Sequence, residues 1–344
     1  MTEDEKWMET ACIEAEKALG LTSPNPVVGA VAVKDGKLLS TGYHKKAGTA
    51  HAEPDCLNKD LDFQGASLYV TLEPCSTYGR TPPCTEAIIK SGIKKVIIGT
   101  LDPNPDHAGK AVSILQKNGI TVKYGVHKER CWNLNLPFFK WIQSKKPLVI
   151  LKMAMTLDGK IATKSGHSQW ITGTESRAEV QRLRKISDAI MVGGETVRLD
   201  NPSLKVKEDN FPAQPQRFIW SSQTDWDQSL KCFENDGKAA IAVKPQSTDE
   251  WEKFLLNIGK DGITSLLIEG GGELAANALE CGIIDSVKFF IAPKILLGRE
   301  SRPVIGGNSP DKLSAALNLQ NASSSQFGDD ILIEGFLSEI WKCK

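Results

Sequence analysis

The sequence predicts an α/β protein in two domains, and three observations carry that reading. Its 344 residues exceed the ~150 of an average single domain. Strand-like apolar runs alternate with amphipathic helical ones in both halves. A polar segment closed by proline, Ser144-Lys145-Lys146-Pro147, stands between the halves, and the pattern restarts after it. The expected domains are residues 1–146 and 147–344.

Trp7, Met8, Ala11, Cys12, Ala15, Ala18 and Leu19 recur at helical spacing, with Gly20 as the stop. A strand over 28–33, a turn at Asp35-Gly36 and a strand over 37–43 form a hairpin. A helix starts near 51–53, where Pro54 is tolerated because a first helical turn needs no donor there. Next come a strand at 67–72, a long loop, a helix from 84 to about 90 ended by Gly92, and a strand at 94–99. A helix at 110–117, a strand at 120–124 and a helix at 129–143 complete the first half. In the second half, strands are expected at 148–153, 189–192, 218–220, 239–243, 265–268 and 287–291. Helices are expected at 175–185, 251–258 and 273–280.

Composition narrows the function. Lys plus Arg and Asp plus Glu number 42 each, so the net charge is zero, and neither half departs far from neutrality. Binding driven by phosphate neutralisation needs clustered positive charge, so a small-molecule enzyme is expected rather than a nucleic-acid binder. The acidic start, Met1-Thr2-Glu3-Asp4-Glu5, lacks the basic and apolar regions of a signal peptide. No apolar stretch reaches the ~20 residues that span a bilayer. A cytoplasmic location is expected, and there spaced cysteines point to metal binding or catalysis rather than disulfides.

His51-Ala52-Glu53, Pro74-Cys75 and Pro83-Cys84 are the most informative residues. One imidazole and two thiolates suit tetrahedral zinc with one position left for water, and zinc lowers the pKa of that water toward neutrality. Glu53, two residues past the histidine, would carry the proton to a departing amine. Cys84 opens a predicted helix, whose positive end favours thiolate, and Cys75 follows a strand at the edge where α/β sheets place their sites. Singly these elements say little; their order says more. His-x-Glu with Pro-Cys-x-x-Cys marks zinc nucleobase deaminases, but here eight residues, not two, separate the cysteines.

That spacing resembles one family. Thr71-Leu72-Glu73-Pro74-Cys75-Ser76-Thr77-Tyr78-Gly79-Arg80-Thr81-Pro82-Pro83-Cys84 closely resembles the deaminase motif of the bifunctional riboflavin-biosynthesis deaminase–reductases. Ser23-Pro24-Asn25-Pro26-Val27-Val28-Gly29, Gly42-Tyr43-His44 and Asp102-Pro103-Asn104-Pro105 are similar to family motifs, in family order. The resemblance implies a cytidine-deaminase-like α/β/α domain with His51, Cys75 and Cys84 on zinc and Glu53 as proton shuttle. It also implies that Asn25, His44, Arg80, Asp102 and Asn104 contact a phosphoribosylaminopyrimidine. Pro54-Asp55-Cys56 departs from the family's aliphatic and small residues.

In the second half no Gly-x-Gly-x-x-Gly follows a strand. Instead a predicted strand leads into Glu269-Gly270-Gly271-Gly272-Glu273 and a helix, a turn that lets backbone amides approach phosphate. Gly193-Gly194-Glu195-Thr196 is a second such turn. The runs 151–160, 166–172, 196–204 and 291–294 resemble the reductase domain of the same family. They imply a C-terminal dihydrofolate-reductase-like α/β domain that uses NADPH. The resemblance places cofactor contacts at Ala154, Trp170, Thr196, Asp200, Gly271, Gly272, Glu273, Leu274, Ala275, Ala276 and Asn277. Substrate contacts would be Ser168, Arg184, Leu204, Lys207 and Glu269, although Arg184 could equally be a solvated helix-face residue. Lys207 stands where many relatives carry arginine; it keeps the charge but loses the bidentate fork.

The function expected is deamination of 2,5-diamino-6-(5-phosphoribosylamino)pyrimidin-4(3H)-one, then NADPH-dependent reduction of the ribosyl to the ribityl side chain. Lys152, Glu269 and a bound water are the candidate proton donors of the reductase. Expected partners are that substrate and further copies of the chain, as a dimer or tetramer, with no nucleic acid and no membrane. Two alternatives stand beside this: a nucleic-acid deaminase of the tRNA adenosine type, and a non-catalytic module with structural zinc.

Overall fold

The first helix starts earlier than its apolar residues suggest, because its cap is polar. Thr2 Oγ1 accepts from Glu5 N–H at 3.3 Å and the Glu5 carboxylate accepts from Thr2 N–H at 2.7 Å, a reciprocal capping box. Helix α1 therefore spans Glu3–Glu16 rather than 7–19. The computed structural model describes all residues except 79–81, 105–106, 235–237 and 343–344. The described chain forms two compact units, divided between Lys145 and Lys146.

In the first unit α1 is followed by β1 (Gly29–Lys34) and β2 (Lys37–Tyr43), joined by Asp35 and Gly36 at φ +50° and +69°, the left-handed pair a tight hairpin requires. Then come α2 (Ala52–Leu57), β3 (Ser67–Leu72), α3 (Cys84–Lys90), β4 (Lys95–Thr100), α4 (Lys110–Lys117) and β5 (Thr121–Tyr124). The sheet runs β2-β1-β3-β4-β5, with β1 antiparallel to both neighbours and β3, β4 and β5 parallel. Alternate residues of β1 serve opposite faces, as strand geometry dictates. Ala30 and Ala32 pack with Ala52, Cys56, Ile88 and Leu115 of α2, α3 and α4. Val31 and Val33 pack with Met8, Ala11, Cys12 and Cys131 on the other side. The result is three layers, α/β/α.

The expected single helix over 129–143 is two, α5 (Lys128–Leu134) and α6 (Leu136–Ser144). Asn135 sits between them, buried, with its Oδ1 accepting from Val27 N–H at 2.8 Å and its Nδ2 donating to Val27 O at 2.9 Å. Pro137 in the first turn of α6 needs no donor. Pro137, which has no N–H to continue α5, and the non-local bonds of Asn135 to Val27 together divide the helix.

The second unit contains β6 (Leu148–Thr156), β7 (Lys160–Ala162), α7 (Thr174–Lys185), β8 (Ala189–Gly193), α8 (Gly194–Asp200), β9 (Gln216–Trp220) and β10 (Ile241–Val243). It continues with α9 (Thr248–Lys260), β11 (Ser265–Glu269), α10 (Gly272–Glu280), β12 (Ser286–Ala292), β13 (Arg302–Pro303), β14 (Gln320–Phe327) and β15 (Asp330–Phe336). Eight strands form one sheet in the order β10-β9-β8-β11-β6-β12-β15-β14, while β7 and β13 pair separately. From β10 to β12 neighbours are parallel; β15 and β14 add antiparallel. Val149, Leu151, Met153, Met191, Trp251, Leu266 and Ile268 centre its core. The β14–β15 hairpin escapes the sequence pattern because β14 is polar and almost wholly exposed. Among the described residues no helix is long and apolar enough to cross a membrane.

One contact lets β2 lie against α2, the helix that follows His51. A Cβ on Gly42 would stand 2.3 Å from Cys56 N and 2.6 Å from Ala52 O, and neither backbone atom can move aside. Gly42→Ala is expected to destabilise the protein by about 1–3 kcal/mol, the usual cost of overpacking, read as a lower denaturant midpoint.

Candidate metal centre and nucleotide site

His51, the N-cap of α2, Cys75, beyond the end of β3, and Cys84, the first residue of α3, converge in the first unit. One ligand atom from each lies within 4.8 Å of the others. His51 Nδ1 is 3.3 Å from Cys84 Sγ and 3.5 Å from Cys75 Sγ, and Cys84 N–H donates to Cys75 Sγ at 3.3 Å. The Cys75 thiol is held down at about 4, first by the hydrogen bond from Cys84. Cys84, the partner that keeps the proton, is pushed up. Two sulfurs and an imidazole, with an amide already turned to a thiolate, fit zinc.

Glu53 sits in the first turn of α2 and is 3% exposed. Burial, with the Cys75 sulfur second, pushes its carboxyl up to about 7. The unusual Pro54-Asp55-Cys56 leaves α2 intact. Asp55 accepts from Tyr43 N–H at 3.2 Å and pairs with Lys45 at 3.0 Å, while Cys56 is buried.

Of the five expected pyrimidine contacts, Asn25 and His44 bond to each other, Nδ2 to Nε2 at 3.1 Å. The His44 ring meets the His51 ring edge-on with centroids 5.4 Å apart. Asp102 accepts from Asn104 N–H at 2.8 Å, and burial pushes the Asp102 carboxyl up. Arg80 lies outside the described residues. Glu73 lies within the Thr71–Cys84 motif, where the sequence alone assigns it no role. Its buried carboxylate accepts from the backbone N–H of Asp102 (3.2 Å), Gly109 (3.0 Å) and Ala111 (3.1 Å). It thereby fixes the loop bearing Asp102 and Asn104 to the residue pair that precedes Cys75.

In the second unit the two glycine turns, read separately from sequence, lie side by side. They follow the adjacent parallel strands β8 and β11, and a Cβ on Gly271 would meet Gly193 Cα at 3.5 Å. Gly271 itself has φ +89°. Leu274, Ala275 and Ala276 are buried, and Asn277 accepts from Trp251 Nε1 at 2.8 Å and donates to Gln246 O at 2.9 Å. Gly272 and Glu273 open α10. Thr196 and Asp200 lie on α8, and Ser168 Oγ donates to Asp200 Oδ1 at 2.8 Å. Trp170, 63% exposed, has the Arg177 guanidinium 4.8 Å from its ring centre. With Ser168, His167 and Lys294 it lines a cavity of about 380 Å³. Ala154 is half-buried in β6.

Arg184 is no solvated surface residue. It forms a two-pronged bond to Glu269, Nε–Oε1 2.8 Å and Nη2–Oε2 2.9 Å, with both side chains nearly buried. Burial pushes Glu269 up, but the charge and hydrogen bonds of Arg184 overcome this and leave it below its usual value. Burial pushes Lys152 down, opposed by Glu269. Leu204 is buried at φ +55°, whereas Lys207 is exposed and donates its N–H to Gln181 at 2.9 Å.

Residues 147–333 match the family model of the RibD C-terminal domain, and residues 1–100 that of the cytidine and deoxycytidylate deaminase zinc-binding region. The riboflavin biosynthesis protein RibD of Actinobacillus pleuropneumoniae is 42% identical over 96% of this chain and 94% of its own length. That of Aquifex aeolicus is 40% identical over 96% and 97%. A structure of Acinetobacter baumannii RibD has a TM-score of 0.87 at 36% identity, covering 97% of this chain and 98% of its own. A Thermotoga maritima diaminohydroxyphosphoribosylaminopyrimidine deaminase/5-amino-6-(5-phosphoribosylamino)uracil reductase has a TM-score of 0.85 at 36% identity, covering 96% and 98%.

Glu269→Gln leaves the Arg184 and Lys152 charges buried without their counter-ion, and is expected to cost about 3–5 kcal/mol. Because the folded carboxyl of Glu269 titrates below its ordinary value of 4.5, its stabilisation is complete above that pH. It is lost as pH falls through the lower folded value. Urea midpoints measured from pH 7 to pH 3 should therefore converge for wild type and variant at the acid end.

Proposed function

The chain belongs to the RibD family, the deaminase–reductases of riboflavin biosynthesis, and from that premise we propose the substrates and residues of its two reactions. It is a bifunctional enzyme with a zinc-binding deaminase domain and a reductase domain. The domains we assign are residues 1–146 and 147–344. The deaminase acts on 2,5-diamino-6-(5-phosphoribosylamino)pyrimidin-4(3H)-one, replacing the 2-amino group by oxygen and releasing ammonia. The reductase then converts the ribosyl chain of 5-amino-6-(5-phosphoribosylamino)uracil to ribityl. The observation that carries the first reaction is the His51–Cys75–Cys84 cluster with Glu53 buried on the same helix turn.

His51, Cys75 and Cys84 hold the metal. Zinc, when bound, supplies a Lewis acid that makes water nucleophilic near neutral pH. Glu53 takes a proton from the attacking water and delivers it to the departing amine through its carboxylate oxygens. Asn25, His44, Arg80, Asp102 and Asn104 form the pyrimidine and phosphate pocket, and burial of Glu53 keeps bulk water from competing for its proton. The nucleic-acid alternative is not favoured, since relatives align along nearly the whole chain, reductase included.

For the second reaction, Thr196, Asp200, Ala154, Trp170 and the turn from Gly271 to Asn277 hold the dinucleotide. Gly193 and Gly271 lie backbone against backbone, and a bare strand-to-helix turn suits approach of backbone amides to phosphate. NADPH, when bound, supplies the hydride. Ser168, Arg184, Leu204, Lys207 and Glu269 orient the ribose chain, and Lys152, a half-buried ammonium beside Glu269, supplies the accompanying proton. The seven described cysteines are unpaired, in keeping with the reducing cytoplasm.

A homo-oligomer, dimer or tetramer, is supported by the C-terminal hairpin. Every residue from 307 to 326 is exposed, and Leu313, Leu317, Ile331 and Ile333 stand 91%, 61%, 47% and 37% exposed. Such apolar surface marks an interaction face. Replacing Ile331 and Ile333 together by lysine is expected to lower the mass in solution to that of one chain, measured by light scattering; an unchanged mass would remove this hairpin from the interface.

The experiment on function supplies the diaminopyrimidine phosphate with and without NADPH. The ribitylamino product is expected with it and the deaminated ribosyl compound without it; formation of neither sinks the reading. Glu53→Gln is expected to abolish deamination while zinc content and reduction of the deaminated substrate persist.

A further inference from the structure

His44 is expected from the family resemblance to touch the pyrimidine, yet both of its ring nitrogens are already used. Nδ1 lies 3.0 Å from Ala50 O. A carbonyl oxygen only accepts, so Nδ1 carries the hydrogen. The ring is buried, 3% exposed, and the atom that faces its Nε2 is the Asn25 amide nitrogen, which can only donate. Nε2 of a neutral Nδ1–H imidazole is an acceptor, and the group 3.1 Å away is the Asn25 carboxamide. Only its NH2 can satisfy that acceptor. The orientation of Asn25 follows from the chain of bonds Ala50 C=O, His44, Asn25, and the carboxamide oxygen is left facing away from the imidazole. Among the described residues Oδ1 receives no hydrogen bond, and it is not sealed from solvent. The chain starts at the peptide group shared by Ala50 and the metal-ligating His51, and the two imidazoles touch edge-on. The open oxygen is therefore tied to the metal centre by residue-to-residue contacts.

We propose that His44 is a positioning residue: its Nδ1–H tautomer orients the Asn25 carboxamide so that the site presents Oδ1, an acceptor, to an N–H or amino group of the pyrimidine. This rests on the deaminase reading above. A pyrimidine that bears a ring N–H and amino groups matches an acceptor; one presenting only carbonyl and unprotonated ring nitrogen there does not. His44 belongs to the pocket wall but acts through Asn25, with no hydrogen bond of its own to the substrate, which separates this role from the direct one.

The two roles differ in a double-mutant cycle. Deamination kinetics are measured for full-length wild type, N25A, H44F, the N25A/H44F pair and H44Q, with zinc content and reduction of the deaminated substrate as checks on each variant. N25A and H44F are each expected to lower kcat/KM by about tenfold, the scale of one lost hydrogen bond, chiefly through KM. The double variant should fall within about twofold of N25A, since His44 has nothing to orient once the carboxamide is gone. H44Q, whose Oε1 stands in for Nε2, should recover most of the loss. A double variant with multiplied losses, about a hundredfold, or an H44Q no better than H44F, overturns the proposal. A measurement independent of folding in the variants is the 15N spectrum of the zinc-loaded wild-type imidazoles. A protonated Nδ1 and bare Nε2 for His44 are expected, and the opposite tautomer refutes the orientation. If wild type itself fails to deaminate the pyrimidine, the functional reading falls, and not this inference alone.

Discussion

A carboxylate buried at the carboxyl end of a parallel strand must be given donors, and both units are built around one such glutamate. In the first unit it is Glu73, just past β3, answered by three backbone N–H groups of the loop leading into α4. In the second it is Glu269, the last residue of β11, answered by the planar fork of Arg184 from α7. An unmatched charge in either place would cost several kcal/mol, so the answering element has little freedom. The strand end fixes the glutamate, and the glutamate fixes the element that answers it. Strand ends of α/β sheets are where ligands sit; here the same positions also hold the walls together.

The two solutions differ in what they permit. Backbone N–H groups give Glu73 a neutral, fixed cradle, and the Asp102–Asn104 turn inherits its rigidity. A guanidinium gives Glu269 a charged partner and leaves a third charge, Lys152, within the same field. The first arrangement holds a loop still; the second gathers like and unlike charges within one field.

Residue chemistry was legible in the sequence where it depends on type and spacing. His51, Cys75 and Cys84 form a ligand cluster because imidazole and thiolate admit few other uses in that order, and the structure brings them within 4.8 Å. The first hairpin was legible because Asp35-Gly36 demands a left-handed turn. What was hidden is non-local. Pro137 marks a break near Asn135, but nothing nearby names Val27 as the group that Asn135 bonds, and nothing near Arg184 names Glu269, 85 residues away, as its partner. The two glycine turns were each visible, but their contact follows only from β8 lying beside β11. That both ring nitrogens of His44 are engaged, by Asn25 and by the Ala50 carbonyl, is likewise invisible in a one-dimensional motif.

The C-terminal strand β14 was invisible for the same reason that it matters. Gln320, Asn321 and three consecutive serines give no apolar alternation, and the strand shifts register against β15 between Gln320 and Ser323. It is nevertheless the outermost strand of an eight-stranded sheet, where a flat, apolar edge would offer a row of open N–H and C=O groups to any passing extended chain. Short polar side chains and an irregular register make that edge a poor template. The sheet of one chain ends at β14, and a partner on this hairpin would meet the apolar face of Ile331 and Ile333 rather than lengthen the rim.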